Sequence, residues 1–358
     1  MLNFSVGPVQ MDESILSIGA EQVPYFRTSE FSAIMQENER LILSFCNASS
    51  DCRCVFLTGS GTASMEAALS NLLSKEDKVL VVDGGSFGHR FVQLCQIFEI
   101  PYETISLEPG CPLTAEKLEP YADGGYTAFL VNLNETSTGV LYDLDLISEF
   151  CAEHGIFLLV DAISAFLAES IDFEKHKIGA MLIGSQKALA VPPGLSIIVL
   201  SEEAQDRVAR ATPRSLYFNL AMALKDGERG QTPFTPAVGV LIQLNARLRQ
   251  IDSIGVEAET ARIAAQAQDF RKKIANLPLT VFTKSLGNTV TPLEVSGSSS
   301  AKDVFSILKG EYGIWVCPNG GSLAEKVFRV GHIGNLTFSD NDALVSAMED
   351  LVKKGILR

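Results

Sequence analysis

Basic residues are in short supply. The chain of 358 residues carries 29 Lys and Arg against 43 Asp and Glu, a formal net charge of -14. That excludes a nucleic-acid partner, which would want a basic face, but not a small anionic substrate, because one or two arginines in a pocket outweigh a distant acidic surface. Long apolar runs are missing too. No window reaches roughly 18 unbroken apolar residues, so no membrane span is expected. The opening "MLNFSVGPVQMDES" lacks the basic stretch and long apolar stretch of a secretory leader. The seven cysteines (46, 52, 54, 95, 111, 151 and 317) are odd in number and scattered. The close pair in "CRC" at 52–54 has no second Cys/His pair at ligand spacing. No metal is therefore expected, and reduced thiols point to the cytoplasm. Internal repeats and low-complexity tracts are also absent.

What remains is an ordinary globular composition, 46% hydrophobic and 20% charged, over a length that suggests about two domains. From about residue 55 to 200, short β-branched runs alternate with amphipathic stretches. "CVFLTG" leads into "SGTASMEAALSNLLS", which has helix spacing at Met65, Ala68, Leu69, Leu72 and Leu73. "KVLVVDGG", "TAFLVNLNE", "IFLLVDAIS", "GAMLIGS" and "LSIIVLS" follow as further strands. Continuous apolar strands between helices predict an α/β fold with a mostly parallel sheet covered on both faces. From about 240 the texture changes to two long helices, then short strands mixed with helices. We read residues 1–240 as an N-terminal segment and large domain, and 241–358 as a small C-terminal α+β domain. Ser339 or Asp340 is the expected N-cap of the last helix.

In such sheets ligands bind beyond the carboxyl ends of the strands, so the residues just after each strand carry the interest. In "TGSGTASMEAAL" the chain turns on Gly59 and Gly61 and starts a helix, a natural phosphate site or simply a tight turn with a Ser/Thr cap. Ser64 stands where a dinucleotide fingerprint needs its third glycine, and no Gly-Lys-Ser/Thr follows. Asp161 comes directly after five apolar residues, either as a helix N-cap or as a carboxylate held ionised by a buried cation. Lys187, in "GSQKALAVPPG", is a loop lysine or an amine whose lowered pKa suits Schiff-base chemistry. Phe87, in "GGSFGHR", is a core anchor or an aromatic free to lie on a ring. Taken together and in this order, the four describe a site for pyridoxal 5′-phosphate.

These stretches, with "NETSTGVLYD" and "KVFRVGHIG", resemble class V aminotransferases of fold type I over almost the whole chain. The group most similar comprises alanine–glyoxylate, serine–pyruvate and 2-aminoethylphosphonate–pyruvate aminotransferases. The resemblance implies a mostly parallel seven-stranded sheet and a homodimer with shared active sites. It implies that Lys187 carries the cofactor as a Schiff base and shuttles a proton, and that Asp161 pairs with the pyridine nitrogen. It places Phe87 on the ring, Ser60, Gly61, Thr62 and Gln186 at the phosphate, and Ser137 and Ile163 around the ring. Thr232 and Thr235 match residues donated to the phosphate by the neighbouring subunit. Arg329 matches the arginine that grips the substrate carboxylate, and Gly7, with the region of Phe26 and Arg27, faces substrate. The phosphate cup reads Gly-Thr-Ala where some relatives have Gly-His, and the N-terminal motifs match only loosely. The implied reaction moves an amino group from an alanine- or serine-type amino acid to glyoxylate or pyruvate. The alternatives are 2-aminoethylphosphonate–pyruvate transamination, a cysteine desulfurase, and a non-catalytic protein that binds the cofactor.

Overall fold

Seven strands form the large sheet: Arg53–Gly59 (β1), Val79–Asp83 (β2), Tyr102–Ser106 (β3), Ala128–Asn132 (β4), Phe157–Asp161 (β5), Ile178–Gly184 (β6) and Gly194–Leu200 (β7). The computed structural model, which describes residues 1–297 and 299–358, orders them β1-β7-β6-β5-β4-β2-β3. Only β7 runs against its neighbours; the other pairs are parallel.

Alternation of side chains across the pleat explains why the central strands are apolar throughout. Leu158 and Val160 of β5 and Met181 and Ile183 of β6 enter one core, under the helices Ser29–Phe45, Leu144–His154 and Val238–Ile254. Phe157 and Leu159, with Ala180 and Leu182, enter a second core under Gly61–Leu72, Gly88–Ile97 and Glu202–Arg210. Helix boundaries follow ordinary capping. Asp143 caps Leu144–His154 through the Leu146 N–H, and Gly155 ends it at φ +65°, a conformation that costs glycine nothing.

The second, smaller sheet contains Leu279–Val281 (β8), Val290–Val295 (β9), Cys317–Pro318 (β10) and Val327–Gly331 (β11), in the antiparallel order β8-β9-β11-β10. It packs with the helices Val256–Lys273, Ala301–Glu311 and Phe338–Lys353 around a third core that includes Phe270, Phe328, Leu344 and Met348. Phe4 joins this core from the far end of the sequence. The N-cap of the last helix is Thr337, not Ser339 or Asp340. Thr337 and Asp340 bond reciprocally in a capping box, which satisfies two free N–H groups where the expected cap would satisfy one.

The strand registers place the loops that matter. Gly194 pairs with Gly59, so the chain returning from the Lys187 loop enters β7 beside the turn that starts the helix Gly61–Leu72. Asn132 pairs with Asp161, and Asp161 with Leu182. Four loops from distant parts of the sequence therefore open at one edge.

Candidate active site

Lys187 lies three residues beyond the end of β6. Its Nζ donates to the carbonyl of Val6, and Gly7 leaves room for its side chain: a Cβ on Gly7 would fall 2.8 Å from Lys187 Cδ, at a φ of +124° that disfavours side chains in any case. Burial pushes the Lys187 amine down to about 8, assisted by the positive charges of Arg329 and Arg90 and opposed by Cys317 and Asp161.

Asp161 ends β5 and is 6% exposed. Its Oδ1 accepts the Ile163 N–H at 2.8 Å. Burial raises its carboxyl to about 6; the negative charge of Glu135 adds to this, while the Ile163 N–H, Lys187 and Arg90 oppose it. Because the folded value exceeds the ordinary 3.8, the folded chain binds the extra proton between about pH 4 and 6. Its stability therefore falls as pH rises through that window. Asp161→Asn is accordingly expected to raise the thermal midpoint of the cofactor-free chain at pH 7.5 but not at pH 4, while weakening cofactor binding. A midpoint that drops at pH 7.5 would count against an uncompensated carboxylate at this position.

At the end of β1, Ser60 is the N-cap of the 12-residue helix Gly61–Leu72, yet its side chain makes no capping bond. The hydroxyl and the N–H groups of Gly61 and Thr62 are available to an anion, while those of Ala63 and Ser64 are bonded to the Ser60 carbonyl and the Ser196 hydroxyl. Thr62 Oγ1 accepts from Arg90 Nη1 at 3.0 Å. Ile163 closes over this turn: a Cβ on Gly61 would be 2.5 Å from Ile163 Cδ1, and one on Gly184 would be 3.0 Å from Ile163 Cγ2. After β2, Phe87 is the N-cap of Gly88–Ile97, and the Arg90 guanidinium lies 5.1 Å from its ring centre. Ser137 follows β4. Its Oγ donates to Glu135 and accepts the Ser86 N–H at 3.1 Å.

Arg329, on β11, is 8% exposed. Nη1 donates to the Thr136 carbonyl and Nη2 to the Pro318 carbonyl, both at 2.7 Å, while Nε has no partner. Two carbonyls and no carboxylate leave its charge uncompensated among the described residues. Thr232 and Thr235 stand apart from this cluster. They lie on the loop packed along the edge strand β1, the Thr232 hydroxyl bonded to the Phe234 carbonyl at 2.7 Å and Thr235 exposed. Arg27 braces the same loop through the carbonyls of Thr232 and Pro233.

Two residues of this arrangement were missed by sequence reasoning. Arg90 sits in the quoted "GGSFGHR" and Glu135 in "NETSTG", but neither follows a strand directly. Only their hydrogen-bond partners, 28 and 47 or 48 residues away, reveal them.

The cluster fits pyridoxal phosphate on several independent counts. Asp161 is a buried carboxylate without an ion-pair partner among the described residues, Gln186 Oε1 is buried and unpartnered, and the Ser60 hydroxyl caps nothing. A pyridinium nitrogen would satisfy Asp161 and a phosphate would accept from the Ser60 hydroxyl, whereas the Gln186 oxygen, itself an acceptor, is met only by a donor.

The comparisons with known proteins agree. The family model described as Aminotransferase class-V matches residues 22–333. The chain is 31% identical to the soluble hydrogenase 42 kDa subunit of Anabaena cylindrica, over 96% of this chain and 91% of that one. It is 28% identical to the alanine–glyoxylate aminotransferase of Oryctolagus cuniculus, over 97% and 91%. The solved alanine–glyoxylate aminotransferase of Nostoc sp. superposes with a TM-score of 0.92 at 25% identity, covering 98% of this chain and 95% of that one. A shared family model over most of the length, a shared fold and a site shaped for the same cofactor lead to one conclusion: the chain belongs to the class V aminotransferase family of fold type I, pyridoxal-phosphate-dependent transaminases.

Proposed function

We propose that the protein transfers an amino group from a small amino acid of the alanine or serine type to glyoxylate or pyruvate. The observation that carries this reading is Arg329, a buried guanidinium with no anion of its own among the described residues, whose charge is felt at Lys187. A planar fork of that kind suits the carboxylate common to amino and 2-oxo acids.

When bound, pyridoxal phosphate supplies an aldehyde that takes up the amino group and a protonated ring that draws electrons away from the substrate α-carbon. We assign the protein groups as follows. Lys187 carries the cofactor and then moves the proton at the substrate α-carbon. A value near 8 leaves a useful share of the amine neutral around neutral pH, where an ordinary lysine would be almost wholly protonated. Asp161 holds the ring nitrogen in its protonated form. Ser60, Gly61, Thr62 and Gln186 hold the phosphate, Phe87, Ser137 and Ile163 confine the ring, and Gly7 leaves space for the amine beside the substrate.

Thr232 and Thr235 lie outside their own chain's cluster, in keeping with donation to a second copy, and we take the working unit to be a homodimer with shared sites. No helix among the described residues is long and apolar enough to cross a membrane. The seven cysteines are free, which agrees with a reducing compartment, and we assign the protein to the cytoplasm.

A donor–acceptor matrix tests the substrate reading. Alanine, serine, aspartate and 2-aminoethylphosphonate are each offered with pyruvate and glyoxylate, and product amino acids are quantified. Turnover is expected for an alanine or serine pair. Activity confined to 2-aminoethylphosphonate, or to none of the donors, would overturn it.

A further inference from the structure

The side chain of Glu135 has no exposure at all and faces no cation within ion-pair distance among the described residues. Five donors converge on its carboxylate instead. Phe87 N–H and Gly88 N–H reach Oε2 at 3.2 and 2.9 Å, and Asn132 Nδ2 reaches it at 3.1 Å. Ser137 N–H reaches Oε1 at 3.1 Å, and the Ser137 hydroxyl donates to the same atom. A carboxyl group that receives only donors serves as an acceptor through both oxygens. Its placement also matches a helix N-terminus, since Phe87 and Gly88 open the helix Gly88–Ile97. The fit is close: a Cβ on Gly85 would be 2.5 Å from Glu135 Cδ.

The turn that carries Glu135 has a second set of attachments. The Thr136 carbonyl accepts Arg329 Nη1 at 2.7 Å, and the Ser137 carbonyl accepts Asn319 Nδ2 at 2.8 Å. One side of the turn thus holds the loop of Phe87, and the other holds the guanidinium of Arg329 and the strand end beside it.

We propose that Glu135 is a positioning residue that places Phe87 and Arg329 relative to each other, by folding the turn 134–138 to which both are tied. The proposal rests on the roles given above to those two residues. Its distinguishing mark is a double effect, because a change at Phe87 alone concerns the cofactor and a change at Arg329 alone concerns the substrate.

Glu135→Gln keeps the volume but turns one acceptor into a donor that faces donors. In the full-length protein, equilibrium dialysis gives the affinity for pyridoxal phosphate, visible circular dichroism reports how firmly the ring is held, and initial rates at saturating cofactor give KM for the 2-oxo acid. Glu135→Gln is expected to weaken cofactor binding and to raise KM, each by about tenfold or more, the scale of hydrogen bonds to a charged group. Phe87→Ala is expected to move the cofactor readings only, and Arg329→Lys the KM only. Glu135→Asp retains the charge and should show the same double effect at smaller size; it also serves if the glutamine variant does not fold. A folded Glu135 variant that shifts one reading alone, or lowers the thermal midpoint with neither shifted, overturns the proposal. Wild-type protein that binds pyridoxal phosphate but uses no amino donor would instead overturn the proposed function.

Discussion

Lys187→Ala is expected to lower kcat for every amino donor by about 10³-fold or more, since it removes both the covalent attachment and the proton carrier, and general acid–base catalysis alone contributes 10²–10⁴-fold. The protein should still fold, because among the described residues the lost amine is bonded only to the Val6 carbonyl and its removal relieves the repulsion from Arg329 and Arg90. It should also still bind pyridoxal phosphate, through Asp161, Gln186 and the start of the helix Gly61–Leu72. The check is absorption spectroscopy beside steady-state rates. The bound cofactor should show the spectrum of the free aldehyde, and borohydride should no longer fix it to the chain. Activity within tenfold of wild type would remove Lys187 from the chemistry.

Arg329→Ala should act on binding of the substrate. Breaking a buried charge pair by removing one partner costs about 3–5 kcal/mol, which corresponds to a fall of roughly 10²–10⁴-fold in kcat/KM for carboxylate substrates at 1.36 kcal/mol per decade. Arg329→Lys keeps the charge and loses the fork, so a smaller loss, about tenfold, is expected. Part of the alanine effect is structural, because the Thr136 and Pro318 carbonyls lose their donors. A thermal melt separates the two contributions. If cofactor affinity stays near the wild-type value while kcat/KM collapses, the loss lies at the substrate. An unchanged kcat/KM would rule out carboxylate recognition at this position.

The fold and the two central residues were legible because each left a local anomaly. A lysine and an aspartate at the ends of apolar strands contradict their surroundings, and burial in the folded chain moves both pKa values as that contradiction implies. The strand pattern was equally readable, since β4 to β6 are apolar on both faces of the sheet. Arg90 and Glu135 left no such mark. In sequence one is an ordinary charge in an amphipathic helix and the other a polar residue in a polar turn. Their meaning lies in partners that only the sheet's strand order brings near. The cap of the last helix was misplaced by two or three residues because several capping residue types cluster at 337–342, and only the reciprocal bonds of Thr337 and Asp340 single one out. The division at residue 240 remains our proposal. Helix Val256–Lys273 gives Ile263 to the first core and Phe270 to the third.

The carbonyl that restrains Lys187 belongs to a segment secured from the opposite end of the chain. Leu2 pairs with Ile314, the Phe4 carbonyl accepts the Gly331 N–H at 2.7 Å, and the Gln10 carbonyl accepts the Asn335 N–H at 2.8 Å. Contacts of such long separation form late, after the local helices and the sheet. All seven strands of the large sheet, with the residues Asp161 and Lys187, lie within the first 200 residues of the chain. The first ten residues touch Lys187 and the first core, but the backbone pairs that fix their path need residues 314–335. The roof over the amine, the first part of the site to be translated, is therefore fixed only by residues near the other end of the chain.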